Sequence, residues 1–284
     1  MKKIIFGCLL ILAPFFCDVN AQNFEDVDAP KIINRAVSYG VGYSNIFDTY
    51  LSPQEYKGID FRIARETNRM TRLWDGNVSL HNFLQADVSY THNHVDNNNS
   101  FSGLLNWNIG LHYQFKIHPN FKILAGALID ANIGFIYNLR NGNNPANAKL
   151  YLNLAPSGMA IWKTRIKSLP ITLRYQVNIP IMGVMFSPHY GQSYYEIFSV
   201  GNDKGILKFT SLHNQPSIRQ FISMDLPINR VKLRLSYIMD IQQAKLNNIK
   251  SHSYNHVFMV GFVTDLIKIR PKATKQIPAN LEAY

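Results

Sequence analysis

The chain has 284 residues, of which 46% are hydrophobic, 12% aromatic and only 17% charged, and its formal net charge is +11. Soluble domains carry about 25% charged residues, so this chain either buries an unusual share of its surface or shows part of it to lipid. Apart from the N-terminus it has no run of roughly 18 apolar residues, which excludes a helical membrane bundle, and its apolar content excludes disorder.

Residues 1–21 read as a secretory signal. Lys2 and Lys3 form the charged start, residues 4–16 the apolar core, and Val19-Asn20-Ala21 a small-residue cleavage site before Gln22. Phe15 and Phe16 lack the small size that lipoprotein processing at Cys17 would need. Both cysteines, Cys8 and Cys17, lie in this segment, so disulfides and thiolate chemistry are excluded from the mature chain. Removal of Lys2, Lys3 and Asp18 leaves that chain strongly basic. In an exported protein the matching anions are lipid headgroups rather than nucleic acid.

The mature sequence then alternates. In 36–47, Val37, Tyr39, Val41 and Tyr43 share one face and Ser38, Gly40, Gly42 and Ser44 the other. Less regular candidates follow at 56–67 and 77–91. In 101–115, Leu105, Trp107, Ile109, Leu111, Tyr113 and Phe115 alternate with Asn106, Asn108, Gly110, His112 and Gln114. After 121–138 and 148–162, segment 171–179 sets Ile171, Leu173, Tyr175, Val177 and Ile179 against Thr172, Arg174, Gln176 and Asn178. Segment 216–227 precedes 231–242, where Leu233, Leu235, Tyr237, Met239 and Ile241 alternate with Arg234, Ser236, Ile238, Asp240 and Gln242. Segment 253–267 ends the series.

Period two marks strands with one apolar and one polar face, and these segments make ten. Short connections at 117–120, 163–168 and 227–229 alternate with longer ones at 92–100, 139–147, 184–215 and 243–252. Short turns at one end and long loops at the other are the pattern of an outer-membrane barrel. The longest loop would raise the count to twelve if it hid a further hairpin. One domain is expected at 22–268, followed by a basic tail at 269–284.

Alternation also suits a soluble barrel or sandwich with an apolar interior, so the polar face decides. It carries Asn, Gln, Ser, Thr, Gly and His with a few Arg and Asp, as a hydrogen-bonded lumen would, and the strands exceed the five or six residues usual in soluble proteins. The expected fold is therefore all-β: a transmembrane antiparallel β-barrel of ten or twelve strands, with Trp107 and Leu111 facing lipid and Asn108 and His112 facing the lumen.

Four stretches carry a resemblance: YSNIFDTYLSP at 43–53, NGNNPA at 141–146, YLNLAPS at 151–157 and YGQSYYE at 190–196. They are similar to an uncharacterised Bacteroidetes family of exported outer-membrane β-barrel proteins, a domain of unknown function. The resemblance spans about 38–265. It implies a location and a fold, and brings no catalytic residues with it.

Three constellations bear on chemistry. In 251–256, a serine nucleophile with a histidine base would be the minimum for acyl transfer. Period two, however, puts His252 and His256 on one face and Ser253 on the other, so no catalytic set is assigned. His92, His94 and Asp96 could converge on a metal, but the run Asn97-Asn98-Asn99 marks a solvated loop, and no metal or cofactor is expected. The tyrosine-rich stretch at 187–196 offers large contact area and adaptable hydrogen bonds. Tyr190, Gln192, Tyr194, Tyr195 and Glu196, with Arg140 and Asn143 from the preceding loop and Asp240 and Gln242 from a nearby strand end, form the candidate ligand-binding site.

The sequence thus points to an outer-membrane protein with a binding or structural role in the envelope, in contact with outer-membrane lipids and with an envelope or extracellular ligand. A membrane-embedded lipid hydrolase of phospholipase or lipid A deacylase type, or a narrow channel, stands as the alternative.

Overall fold

The computed structural model describes residues 31–142, 144–167, 169–228 and 231–268. The expected signal segment and basic tail lie outside the described residues, as does Asn143. In chain order the elements are β1 (Lys31–Asp48), β2 (Ser52–Met70), β3 (Val78–Asn93), β4 (Asn99–His118), β5 (Phe121–Asn138), β6 (Ala146–Ala148), β7 (Tyr151–Ile166), β8 (Leu169–Asn178), β9 (Met182–Phe186), the helical turn α1 (Tyr194–Phe198), β10 (Leu207–Ser211), β11 (Ile218–Ile228), β12 (Val231–Leu246) and β13 (Ile249–Lys268).

Ten of these strands form a closed antiparallel wall, β1 to β5 followed by β7, β8, β11, β12 and β13. β1 seals it against β13 along its whole length, from Lys31↔Lys268 to Asp48↔Ser251. Following paired residues once around the wall from Phe135 on β5 returns to β5 at Ile123, a stagger of twelve residues. For ten strands that stagger tilts them by about 40°, within the usual range for barrels. Each sequence segment expected as a strand overlaps one wall strand to within a few residues at its ends.

The faces are inverted relative to a soluble barrel. Asn108 and His112 are 1% and 0% exposed, whereas Leu111 beside them is 41% exposed, and Trp107 is half-buried on the outer face. Tyr39, Val41 and Tyr43 on β1 and Ile59, Phe61 and Ile63 on β2 point outward, while Ser38, Ser44, Asp60 and Arg62 point inward.

The long segment 184–215 does contain a hairpin, β9 and β10, but it does not enlarge the wall to twelve. β8 and β9 run along the same edge of β7, where Ser157 faces Asn178 and Leu154 faces Met182. Pro180 falls between them and has no N–H to give the ladder. The hairpin is thus the outward continuation of β8 and β11. Segment 243–252, expected as a long loop, is instead regular sheet. β12 and β13 run up to Asn247 and Asn248, both at positive φ (49° and 64°), as a two-residue turn of the type that matches strand twist requires.

Inside the wall, Ala64, Phe83, Phe221, Ile238, Val257 and Met259 form one apolar cluster. Period two places polar residues on either side of it along each strand, so the lumen holds two charged clusters separated by an apolar layer.

Candidate functional site in the lumen and its outer cap

On β2, Asp60 and Arg62 lie on the side of Ala64 toward the β1–β2 turn, termed the outer end, and Glu66 lies on the other side. In the outer cluster, Arg219 donates from Nε and Nη2 to Asp240 Oδ2 (3.1 and 2.9 Å) and from Nη1 to Asn106 Oδ1 (2.7 Å). Asn106 donates in turn to Asp130 Oδ1 at 2.7 Å. Arg62 Nη2 bonds Asp60 Oδ2 at 2.9 Å and lies 3.6 Å from Asp87 Oδ1. Four carboxylates thus surround two guanidinium groups, and Asp60 Oδ1 and Asp87 Oδ2 make no hydrogen bond.

In the inner cluster, Glu66 Oε2 accepts from Arg174 Nη2 at 2.5 Å and also from Arg234. Arg234 grips Asp225 with two further bonds of 2.6 and 2.7 Å. Arg174 also lies over the Phe221 ring, 5.0 Å from its centroid. His81 pairs with Asn68 (2.7 Å) and His112 with Ser157 (2.8 Å). A buried ion pair repays its desolvation only when its remaining hydrogen bonds are made; Glu66 meets that condition at Oε2 alone, since its Oε1 makes no hydrogen bond and lies 3.5 Å from His81 Nδ1.

Little space remains. The gap beside Asp130, Arg219 and Asp240 measures about 10 Å³, and one at the outer mouth between Tyr151, Gln215, Gln242 and Ser253 about 40 Å³. Such volumes hold a few waters, well below the 300 Å³ or more of a typical ligand pocket.

The outer end is closed by a cap tied at Tyr50 and Tyr194. Ser193 caps α1, its hydroxyl accepting from Glu196 N while the Glu196 carboxylate accepts from Ser193 N. Tyr194 hydroxyl accepts from Ala148 N (2.6 Å) and donates to Asn147 Oδ1 (3.1 Å). Its ring stacks on Phe186 and Phe198 and meets Tyr50 edge-on. Tyr50 donates to the Gln192 carbonyl at 2.7 Å. Burial, with Tyr194 and Asp48 nearby, pushes the Tyr50 hydroxyl up to about 12. The Gln192 side chain accepts from His189 N (2.9 Å) and donates to Asn202 O (2.7 Å).

The residues grouped from the sequence as one ligand-binding site are therefore distributed over three places. Gln192 and Tyr194 are built into the cap. Tyr190 and Tyr195 are 66% and 71% exposed on its outer surface, where Glu196 is also exposed and Arg140 donates to Asn97 O at 3.2 Å. Asp240 and Gln242 lie in the lumen, with Gln242 donating to both Asp240 oxygens at 3.2 Å.

Ser253 faces the lumen and donates to Asn255 Oδ1 at 3.3 Å. His252 stacks on Tyr254 and Phe47, and His256 Nδ1 is 2.7 Å from the Tyr237 hydroxyl, both on the outer face. No nucleophile and base meet there. His92, His94 and Asp96 are exposed at the β3–β4 turn, and no metal-holding group of three His, Cys, Asp or Glu occurs among the described residues.

From the sequence, Arg174, Arg234 and Asp240 fall on the lumen face, but their partners on the less regular segments, Asp60, Arg62 and Glu66 on β2 and Arg219 and Asp225 on β11, were not recognised. The available signal was charge in phase with the inward face.

A family model described as a protein of unknown function (DUF3316) matches residues 6–273. The chain belongs to this family. Comparison with curated proteins finds no match. Among solved structures, this DUF3316 chain is similar to the transport unit of the autotransporter AIDA-I from Escherichia coli, at TM-score 0.45 and 8% identity over 95% of this chain and 98% of that one. It is also similar to the outer membrane protease OmpT from Escherichia coli (TM-score 0.42, 7% identity, 86% and 99% covered). A third likeness is to the β domain of the Bordetella autotransporter BrkA (TM-score 0.41, 8% identity, 84% and 100% covered). Likenesses this distant carry nothing about activity, and the architecture of the DUF3316 chain rests on its own strand pairing.

Proposed function

We propose that the chain is an integral protein of the bacterial outer membrane, exported by a cleaved signal peptide in a Bacteroidetes cell, with a binding or structural role in the envelope rather than a catalytic one. The observation that carries this reading is the inversion of the barrel: apolar residues ring the outside of a closed ten-strand wall while charged pairs fill its inside. Such a surface is stable only against hydrocarbon. Specific recognition is assigned to the outer cap surface that carries Tyr190, Tyr195, Glu196 and Arg140, and outer-membrane lipids surround the wall.

The separation of Ser253 from His252 and His256 speaks against a lipid hydrolase. The apolar layer across the lumen speaks against a channel. The test is fractionation of cells expressing the full chain. A barrel of this kind partitions with the outer membrane and migrates differently before and after boiling, and recovery as a soluble periplasmic protein would overturn the assignment. Retention of a surface ligand by intact cells that is lost in Tyr190→Ala/Tyr195→Ala would support binding, and a weakened permeability barrier in cells lacking the protein would support a structural role.

A further inference from the structure

One patch of the outer face breaks the apolar pattern. On β1, Arg35 points outward directly opposite Thr67 of β2 and Thr264 of β13. The positions flanking Thr67 on the same face of β2 are Arg65 and Arg69. Diagonal neighbours on paired strands lie about 7–8 Å apart, so Arg35 is the diagonal neighbour of both Arg65 and Arg69 on the same face. Arg65 and Arg69 are exposed and Arg35 is half-buried. Its Nε is buried and makes no hydrogen bond. No carboxylate pairs with any of the three among the described residues.

Three mutually repelling cations on the lipid side of a wall require a counter-charge. The surroundings specify its kind. Immediately outward along β2 come Ile63, Phe61 and Ile59, each more than half exposed, a surface for acyl chains. On β3, Asn82 faces Thr67 and accepts from Trp107 Nε1 at 2.9 Å; tryptophan favours the level of the headgroups. The patch lies near the barrel end that carries the β4–β5 turn at residues 119–120, away from the cap.

We propose that Arg35, Arg65 and Arg69, with the hydroxyls of Thr67 and Thr264, hold the phosphate of an anionic glycerophospholipid in the inner leaflet of the outer membrane, its acyl chains lying along Phe61 and Ile63. Guanidinium groups suit phosphate because their donors match its oxygens in pairs. This inference rests on the membrane-barrel reading above and adds to it a defined lipid site.

The test uses the full-length protein extracted from membranes in mild detergent, with bound lipid read by native mass spectrometry during titration with phosphatidylglycerol, phosphatidylcholine or lipid A. The wild type retains phosphatidylglycerol over phosphatidylcholine, and Arg35→Gln/Arg65→Gln/Arg69→Gln lowers that retention at least tenfold. Lys57→Gln, at the other end of β2, retains it like the wild type. If the triple variant does not assemble, Arg35→Gln alone shows a smaller loss in the same direction. Equal retention by wild type and variants overturns the proposal, as does preference for lipid A or displacement of the lipid by inorganic phosphate. A protein that inserts into vesicles yet shows no such preference refutes the lipid site alone, whereas failure to insert refutes the barrel reading with it.

Discussion

Arg234 clasps Asp225 across one rung of the sheet, Nε to Oδ1 at 2.6 Å and Nη2 to Oδ2 at 2.7 Å, while also reaching across the lumen to Glu66. The bond to Asp225 joins neighbouring strands, and the bond to Glu66 joins strands three places apart around the wall. Together they couple β2, β11 and β12 at a level that the apolar layer of Phe83 and Ile238 separates from the outer cluster.

Breaking this cross-lumen contact is expected to be costly. Arg234→Ala leaves Asp225 without its partner and Glu66 with one arginine fewer, and removal of one member of a buried pair costs about 3–5 kcal/mol. Reversible urea unfolding in detergent or lipid vesicles measures the loss. A change below about 1 kcal/mol would show that water enters and solvates the carboxylates.

The outer face is tested at neighbouring positions on β4. Leu111→Lys is expected to destabilise the folded barrel by up to about 2–4 kcal/mol at the bilayer midplane and less toward an interface. Spin labels at positions 107 and 108 should differ in exposure to lipid-soluble quenchers, with the label at 107 the more accessible. Equal accessibility would contradict the assignment of faces.

Sidedness follows from the connections. A cysteine at Asn120, in the short β4–β5 turn, should resist a membrane-impermeant reagent applied to intact cells, and one at Asn98, in the β3–β4 turn at the capped end, should react. The reverse pattern would place the cap in the periplasm.

The two adjacent tyrosines of the cap should behave differently. Tyr194→Phe removes the acceptor for Ala148 N and the donor to Asn147, at about 1 kcal/mol each, so limited proteolysis within 187–206 should accelerate. Tyr195→Ala, on the exposed side, should leave the digestion pattern unchanged.

The cap should also respond to alkaline pH through Tyr50. Its hydroxyl, pushed by burial from 10.0 up to about 12, binds its proton more tightly in the folded state than in the unfolded one. The associated stability is present in full below pH 10 and is lost as pH rises from 10 toward 12. Protease sensitivity of the cap should rise in that window, and Tyr50→Phe should remove the part of the rise that Tyr50 contributes.

The sequence by itself determined the all-β class and the two faces of ten strands, because alternation is a property of neighbours two residues apart and needs no partner, and it left the count open between ten and twelve. It did not disclose that 184–215 would extend existing strands rather than add new ones, since that depends on which edge of β7 the chain after Pro180 follows. Nor did it unite the charges of the lumen. Glu66 and Arg234 stand 168 positions apart in the chain, and only closure of the wall at its twelve-residue stagger brings them to one level. A local helical turn, which alternation did not reveal, divided the tyrosine-rich stretch, turning Tyr194 into the packed underside of the cap and Tyr195 to its surface, because such a turn sends adjacent side chains in different directions.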